Sequence, residues 1–154
     1  MNHPARSKAR SAARLAAVQA LYQQHMEGTA LARLLDEFHQ HRLGRTIDDD
    51  DFDDAAYADA EVPFFDDVVR GVDARKDEID ALVGSKLAAG WNIARLDKTM
   101  LQVLRAGTYE LIARVDVPAA VTINEYVDVA KAFFDDGQAK FVNGILDAVA
   151  KDAR

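Results

Sequence analysis

The sequence contains no cysteine. Disulfides and thiolate metal sites are thereby excluded, and a reducing cytoplasm is the expected setting. Proline occurs three times and glycine eight times in 154 residues, while alanine is abundant. That balance favours helix over sheet. No run approaches about 18 apolar residues, and no apolar core follows the N-terminus, so neither a membrane span nor a secretory signal is expected. Glycine-rich phosphate loops and nucleophile elbows are missing. The histidines are His3, His25, His39 and His41. His39 and His41 stand two apart and point to different helix faces, whereas a helical metal pair needs spacing of three or four. No carboxylate stands alone in an apolar run where burial would raise its pKa. No catalytic residue, cofactor or metal is therefore expected.

What is present is charge, unevenly placed. Eight acidic residues and no basic one lie between Asp48 and Glu61, more than the whole net charge of −7. From Met1 to Arg14 the pattern reverses, with Arg6, Lys8, Arg10 and Arg14 and no acid. Arg6, Arg10 and Arg14 repeat every four residues and form a row on one helix face. Positive charge at a helix N-terminus opposes the macrodipole, so a negative ligand such as phosphate would relieve it. Arginine also stacks on bases, which suits single-stranded RNA. The acidic stretch, read as a loop over about 44–61, is a solvated insertion or a mask for the basic N-terminus. It is not an EF-hand: counted from Asp49, Asp54 replaces the required Gly and Ala60 the required Glu.

Helical periodicity runs through the rest. A first helix spans about Arg6 to Met26, with Leu15, Val18, Leu21, Tyr22 and Met26 as its stripe. A second covers about Thr29 to Leu43. A third runs from Phe64 to about Lys86 on a seven-residue rhythm. A short element holds Trp91, and a central helix follows from Asp97 to Arg114. The stretch Thr122-Ile-Asn-Glu125 fits a capping box, with Val121 and Tyr126 as its hydrophobic staple, opening a helix to Phe134. In the final helix Val142, Ile145, Leu146 and Val149 face inward, while Lys140, Gly144, Asp147 and Lys151 lie opposite. Phe141 sits between those faces, and Gly144 within the helix costs about 1 kcal/mol relative to Ala. The expected fold is all-α, a single compact helical domain of about six or seven helices.

Three stretches resemble one family. "ARLAAVQALYQ" (13–23) resembles the first helix of the NusB transcription antitermination factors. "LDKTMLQVLRAGTYELI" (96–112) resembles their central helix. "DVPAAVTINEYVDVAKAF" followed by "AKFVNGILDAVAK" resembles their closing helix pair. The same fold heads some RNA cytosine methyltransferases, whose catalytic domain is not expected in a chain of 154 residues. The resemblance implies a non-enzymatic cytoplasmic factor with a NusB-like fold. Such factors bind boxA-like single-stranded RNA in nascent ribosomal-RNA transcripts, together with a small-subunit ribosomal protein, NusE. With other Nus factors they join the elongating RNA polymerase and suppress premature termination. Carried over residue by residue, it implies RNA contacts at Arg6, Lys8, Arg10, Arg14, Lys140, Phe141 and Asn143. It implies partner docking at Tyr22 and Met100, although the family often carries an acid in the place of Met100. The other reading is a helical protein-interaction module, or a homodimer, without direct RNA contact.

Overall fold

Alanine-rich segments with apolar residues three and four apart become helices wherever the computed structural model describes the chain, which is residues 3–40 and 61–154, with side chains from 8 onward. Among the described residues there are seven α-helices, one short 3₁₀ turn and no strand, in keeping with the all-α expectation. The acidic stretch lies outside the described residues apart from Glu61. No helix among them is long and apolar enough to cross a membrane. The chain divides into two compact units, Met1–Arg70 and Gly71–Arg154.

The first unit begins with α1, His3–Glu27. Gly28, at φ +69°, ends it in the left-handed conformation that glycine adopts without strain. Helix α2 follows, Leu31–Phe38, and buries Leu34, Leu35 and Phe38. The remainder of the expected second helix, 41–43, lies outside the described residues. The stripe assigned to α1 needs correction. Its buried face is Ala13, Ala16, Ala17, Val18, Ala20 and Leu21, while Tyr22 and Met26 are 39% and 54% exposed. Val18 and Leu21 are buried as expected, and alanines, which let the neighbouring backbone approach closely, make up the rest of the packed face. The expected third helix is two helices, α3 (Val62–Ala74) and α4 (Lys76–Ser85). Arg75 interrupts them at φ −115°, ψ 23°. Apolar spacing hides this break, because Val72 and Ile79, seven apart, are buried on either side of it. Asp77 and Glu78 in the first turn of α4 favour a fresh helix N-terminus there. In the first unit, Phe65 of α3 stacks on Phe38 of α2 with ring centroids 5.6 Å apart.

The second unit is built around α5, Lys98–Ala113, preceded by the 3₁₀ turn Ile93–Arg95. Asp97 starts α5 by accepting from the Thr99 and Met100 amides at 2.8 and 3.1 Å. Every residue of α5 from Met100 to Leu111 is buried, the mark of a helix enclosed on all sides. Helix α6 covers Ala119–Lys131 and α7 covers Asp136–Ala153, with α4, α6 and α7 all packed on α5. The final stripe is as expected: Val142, Ile145, Leu146 and Val149 are buried. Gly107 allows α7 in close, since a Cβ there would stand 2.9 Å from Leu146 Cδ1.

Two expectations fail in this unit. Thr122 does not cap α6. Pro118 occupies the cap, and its carbonyl accepts from the Thr122 amide at 3.1 Å. The fixed φ of proline suits a helix start, so α6 begins a turn early. Thr122 lies buried inside it, its Oγ1 without a hydrogen-bond partner among the described residues, and Val121 is exposed rather than stapled to Tyr126. The second failure concerns carboxylates. Glu110 is buried in the apolar run of α5, and Tyr126 donates to it. Arg105 is likewise buried, and Nε and Nη2 both bond the Asp80 carboxylate at 2.8 Å, a bidentate pair.

Candidate nucleic-acid interface

On α1 the basic row is graded rather than uniformly exposed. The Arg6 side chain lies outside the described residues, and Lys8 is exposed. Arg10 and Arg14, one turn apart, both lean on the ring of Phe64 at the start of α3, at 4.6 and 4.8 Å from its centroid. Each guanidinium is attracted by the negative ring face. Arg10 Nε also donates to Glu61 Oε2 at 3.2 Å. Arg14 is only 2% exposed. It therefore underlies this surface and fixes Phe64, while Lys8 and the open part of Arg10 face solvent. Sequence reading places Phe64 at a helix start but does not connect it with the basic row. Glu61 was legible as the last residue of the acidic stretch weighed as a mask for the basic row, and it meets Arg10. On the same helix, Tyr22 and Met26 are exposed one turn apart and form a small apolar strip.

The second unit presents α7. Asp135 caps this helix by accepting from the Gln138 amide at 3.0 Å, which orients its first turns. Lys140, Phe141 and Asn143 all point outward, Phe141 at 38% exposure. Two hollows flank them. One, about 340 Å³, is lined by Lys140 and Asn143 together with Lys131 and Asp136. The other, about 450 Å³, brings Phe141 and Met100 together with Trp91, Arg95, Leu96 and Gln138. Met100 itself is buried, so it forms the wall of this cleft rather than a knob.

Sequence spacing does not single out Trp91, Arg95 or Lys131 as site residues. Trp91 belongs to no helical or strand period, and its only sequence signal is a lone indole in a Gly-Trp-Asn stretch. Its position is set by a turn: Gly90 takes φ +87°, and the Trp91 amide donates to the Ala88 carbonyl at 3.0 Å. Arg95 then lies over the indole at 5.0 Å, with Nη1 donating to the Gly90 carbonyl at 2.6 Å.

These surfaces combine cations with flat rings, the two features that single-stranded nucleic acid needs for backbone and bases. Among the described residues no group of three or more His, Cys, Asp or Glu side chains is placed to hold a metal ion.

Comparison with known proteins places this architecture. The sequence model of the NusB family matches residues 11–151. The chain is 67% identical over 147 residues to the transcription antitermination protein NusB of Novosphingobium aromaticivorans, covering 96% of each chain. Its structure resembles NusB of T. maritima with a TM-score of 0.76 and 33% identity, over 94% of this chain and 93% of that one. It also resembles a chain in the crystal structure of antitermination factors NusB and NusE in complex with dsRNA, with a TM-score of 0.71 and 28% identity over 94% and 98% of the two chains. This chain belongs to the NusB family, whose members named here are transcription antitermination proteins.

Proposed function

We propose that this chain is a non-enzymatic cytoplasmic antitermination factor that binds a boxA-like RNA strand jointly with the ribosomal protein NusE. The assembly then joins the elongating RNA polymerase with other Nus factors. One observation carries this reading: α7 offers Lys140, Phe141 and Asn143 to solvent, on a chain similar to one solved with NusE and RNA. Lys8 and Arg10 supply further phosphate contacts, and Arg14 supports them from beneath. The Tyr22–Met26 strip is the docking surface for the ribosomal protein. Affinity for a boxA-like RNA and for a scrambled RNA, each with and without NusE, tests the reading. Preference for boxA, strengthened by NusE, is expected. Equal affinity for both RNAs under both conditions overturns it.

The other reading, a protein-interaction module or homodimer without RNA contact, draws on the Glu61 ion pair at Arg10 and the burial of Arg14. Salt separates the two. Phosphate contacts make log affinity fall with log salt by roughly 0.7 per contact on single strands, whereas a protein-only module responds weakly.

A further inference from the structure

The 450 Å³ cleft on the second unit has an unusual wall for a soluble surface. Trp91 is 53% exposed and Phe141 38% exposed, and both line it. Large aromatic surface left in water is unfavourable by about 25 cal/mol per Å², so a cleft that holds two such rings open is suited to a flat apolar occupant. The buried residues Leu96 and Met100 complete its wall. Its rim is polar: Gln138 and Arg95 both border it. The volume lies within the range of about 300–1,000 Å³ typical of small-ligand sites.

The geometry points to a nucleobase pocket: one unstacked base of the bound RNA enters between Trp91 and Phe141, with Gln138 and Arg95 meeting its polar edge. This rests on the RNA-binding reading above and specifies where a base goes. Charge favours an anionic occupant. Arg95 lies at the cleft, Lys98 is close by in sequence at the start of α5, and Lys140 precedes Phe141 on α7; the adjoining hollow holds Lys131 and Lys140 against the single carboxylate of Asp136. The carboxylate lining the cleft is that of Asp97, and one of its oxygens is engaged by the Thr99 and Met100 amides. A polyanion with flat bases fits this setting. An aliphatic protein side chain would use neither the cations nor the Gln138 amide. Trp91 is held ready, because the Gly90 turn positions its backbone and the Arg95 bond to Gly90 secures the cation over the indole.

Trp91 is the only tryptophan in the chain, so its emission reports on the cleft directly. The full chain is titrated with a boxA-like RNA while RNA anisotropy and Trp emission are followed together. Emission is expected to change in step with anisotropy, and one abasic position in the RNA should abolish the change. Trp91→Ala should weaken binding by about 5- to 150-fold, with Trp91→Phe retaining most of the affinity. Trp91 is exposed, so melting should not move; Phe141→Ala keeps the fluorophore and should abolish the emission change. RNA binding by anisotropy with unaltered emission and an unaltered Trp91→Ala affinity overturns the pocket and leaves the RNA reading standing. Absence of RNA binding, with or without NusE, overturns both. Emission that responds to protein concentration or to NusE alone, and not to RNA, assigns the cleft to a protein and overturns the proposal.

Discussion

The Tyr126 hydroxyl donates to the Glu110 carboxylate, and both side chains are fully buried. This hydrogen bond ties α6 to α5 through a buried acceptor, and a buried polar group that loses a partner is costly. Tyr126→Phe should therefore destabilise the protein by about 1–3 kcal/mol although it removes one oxygen. Urea denaturation measures this, and a wild-type midpoint would mean that the hydroxyl does not serve Glu110. A double-mutant cycle with Glu110→Gln should show coupling of about 0.5–3 kcal/mol.

Two glycines within helices should respond in opposite directions. At Gly71 an added Cβ would lie 2.1 Å from ring atoms of the buried Tyr109. Overpacking costs about 1–3 kcal/mol, which outweighs the gain of about 1 kcal/mol in helix propensity. Gly71→Ala should lower the melting temperature. At Gly144 a Cβ would meet nothing within 4 Å among the described residues. Gly144→Ala should raise stability by about 0.5–1 kcal/mol. If both changes shift melting the same way, the packing argument at Gly71 is wrong.

Arg10 and Arg14 should separate by phenotype. Arg10→Ala should weaken RNA binding and flatten its salt dependence by about 0.7 for each phosphate no longer neutralised. Arg14 is buried over Phe64, so Arg14→Ala should cost stability, about 1–2 kcal/mol from removing its attraction to the ring. Conversely, Glu61→Gln should strengthen RNA binding by releasing Arg10. RNA anisotropy and thermal melting on the same three variants check this. Normal melting for Arg14→Ala together with abolished RNA binding would make Arg14 a direct RNA ligand instead.

How much of this was legible depends on the range of the interactions involved. The α7 stripe and the Asp97 start of α5 are local patterns of spacing and capping, and both are where the sequence puts them. The grading of the basic row is not local. It depends on Phe64 and Glu61, about 50 residues from Arg10 and Arg14, so spacing along α1 shows four cations and no difference among them. The break at Arg75 was invisible for another reason: Val72 and Ile79, seven apart, are both buried, so the apolar rhythm runs unbroken across the interruption. The capping box at Thr122 failed because Pro118, four residues earlier, starts the helix first. Trp91 carried no periodic signal, and only the turn at Gly90 shows that it faces a cleft.

The interruption at Arg75 also yields a pH prediction. Arg75 Nε and Nη2 donate to the two Glu78 carboxylate oxygens, each at 2.9 Å. These hydrogen bonds, with the attraction of the two charges, hold the Glu78 carboxyl below its ordinary range against a small desolvation that raises it. A carboxyl depressed in the folded state contributes stability above its unfolded pKa and loses that contribution as pH falls through the folded value. The pair is exposed and screened by water and salt, so global stability should change little across this window. The local signature should be clear: in an NMR titration Glu78 should titrate below the usual glutamate range. Arg75→Gln should return it to that range, as should high salt in part. An ordinary Glu78 midpoint in the native protein would show that the bidentate pair at the α3–α4 junction does not persist in solution.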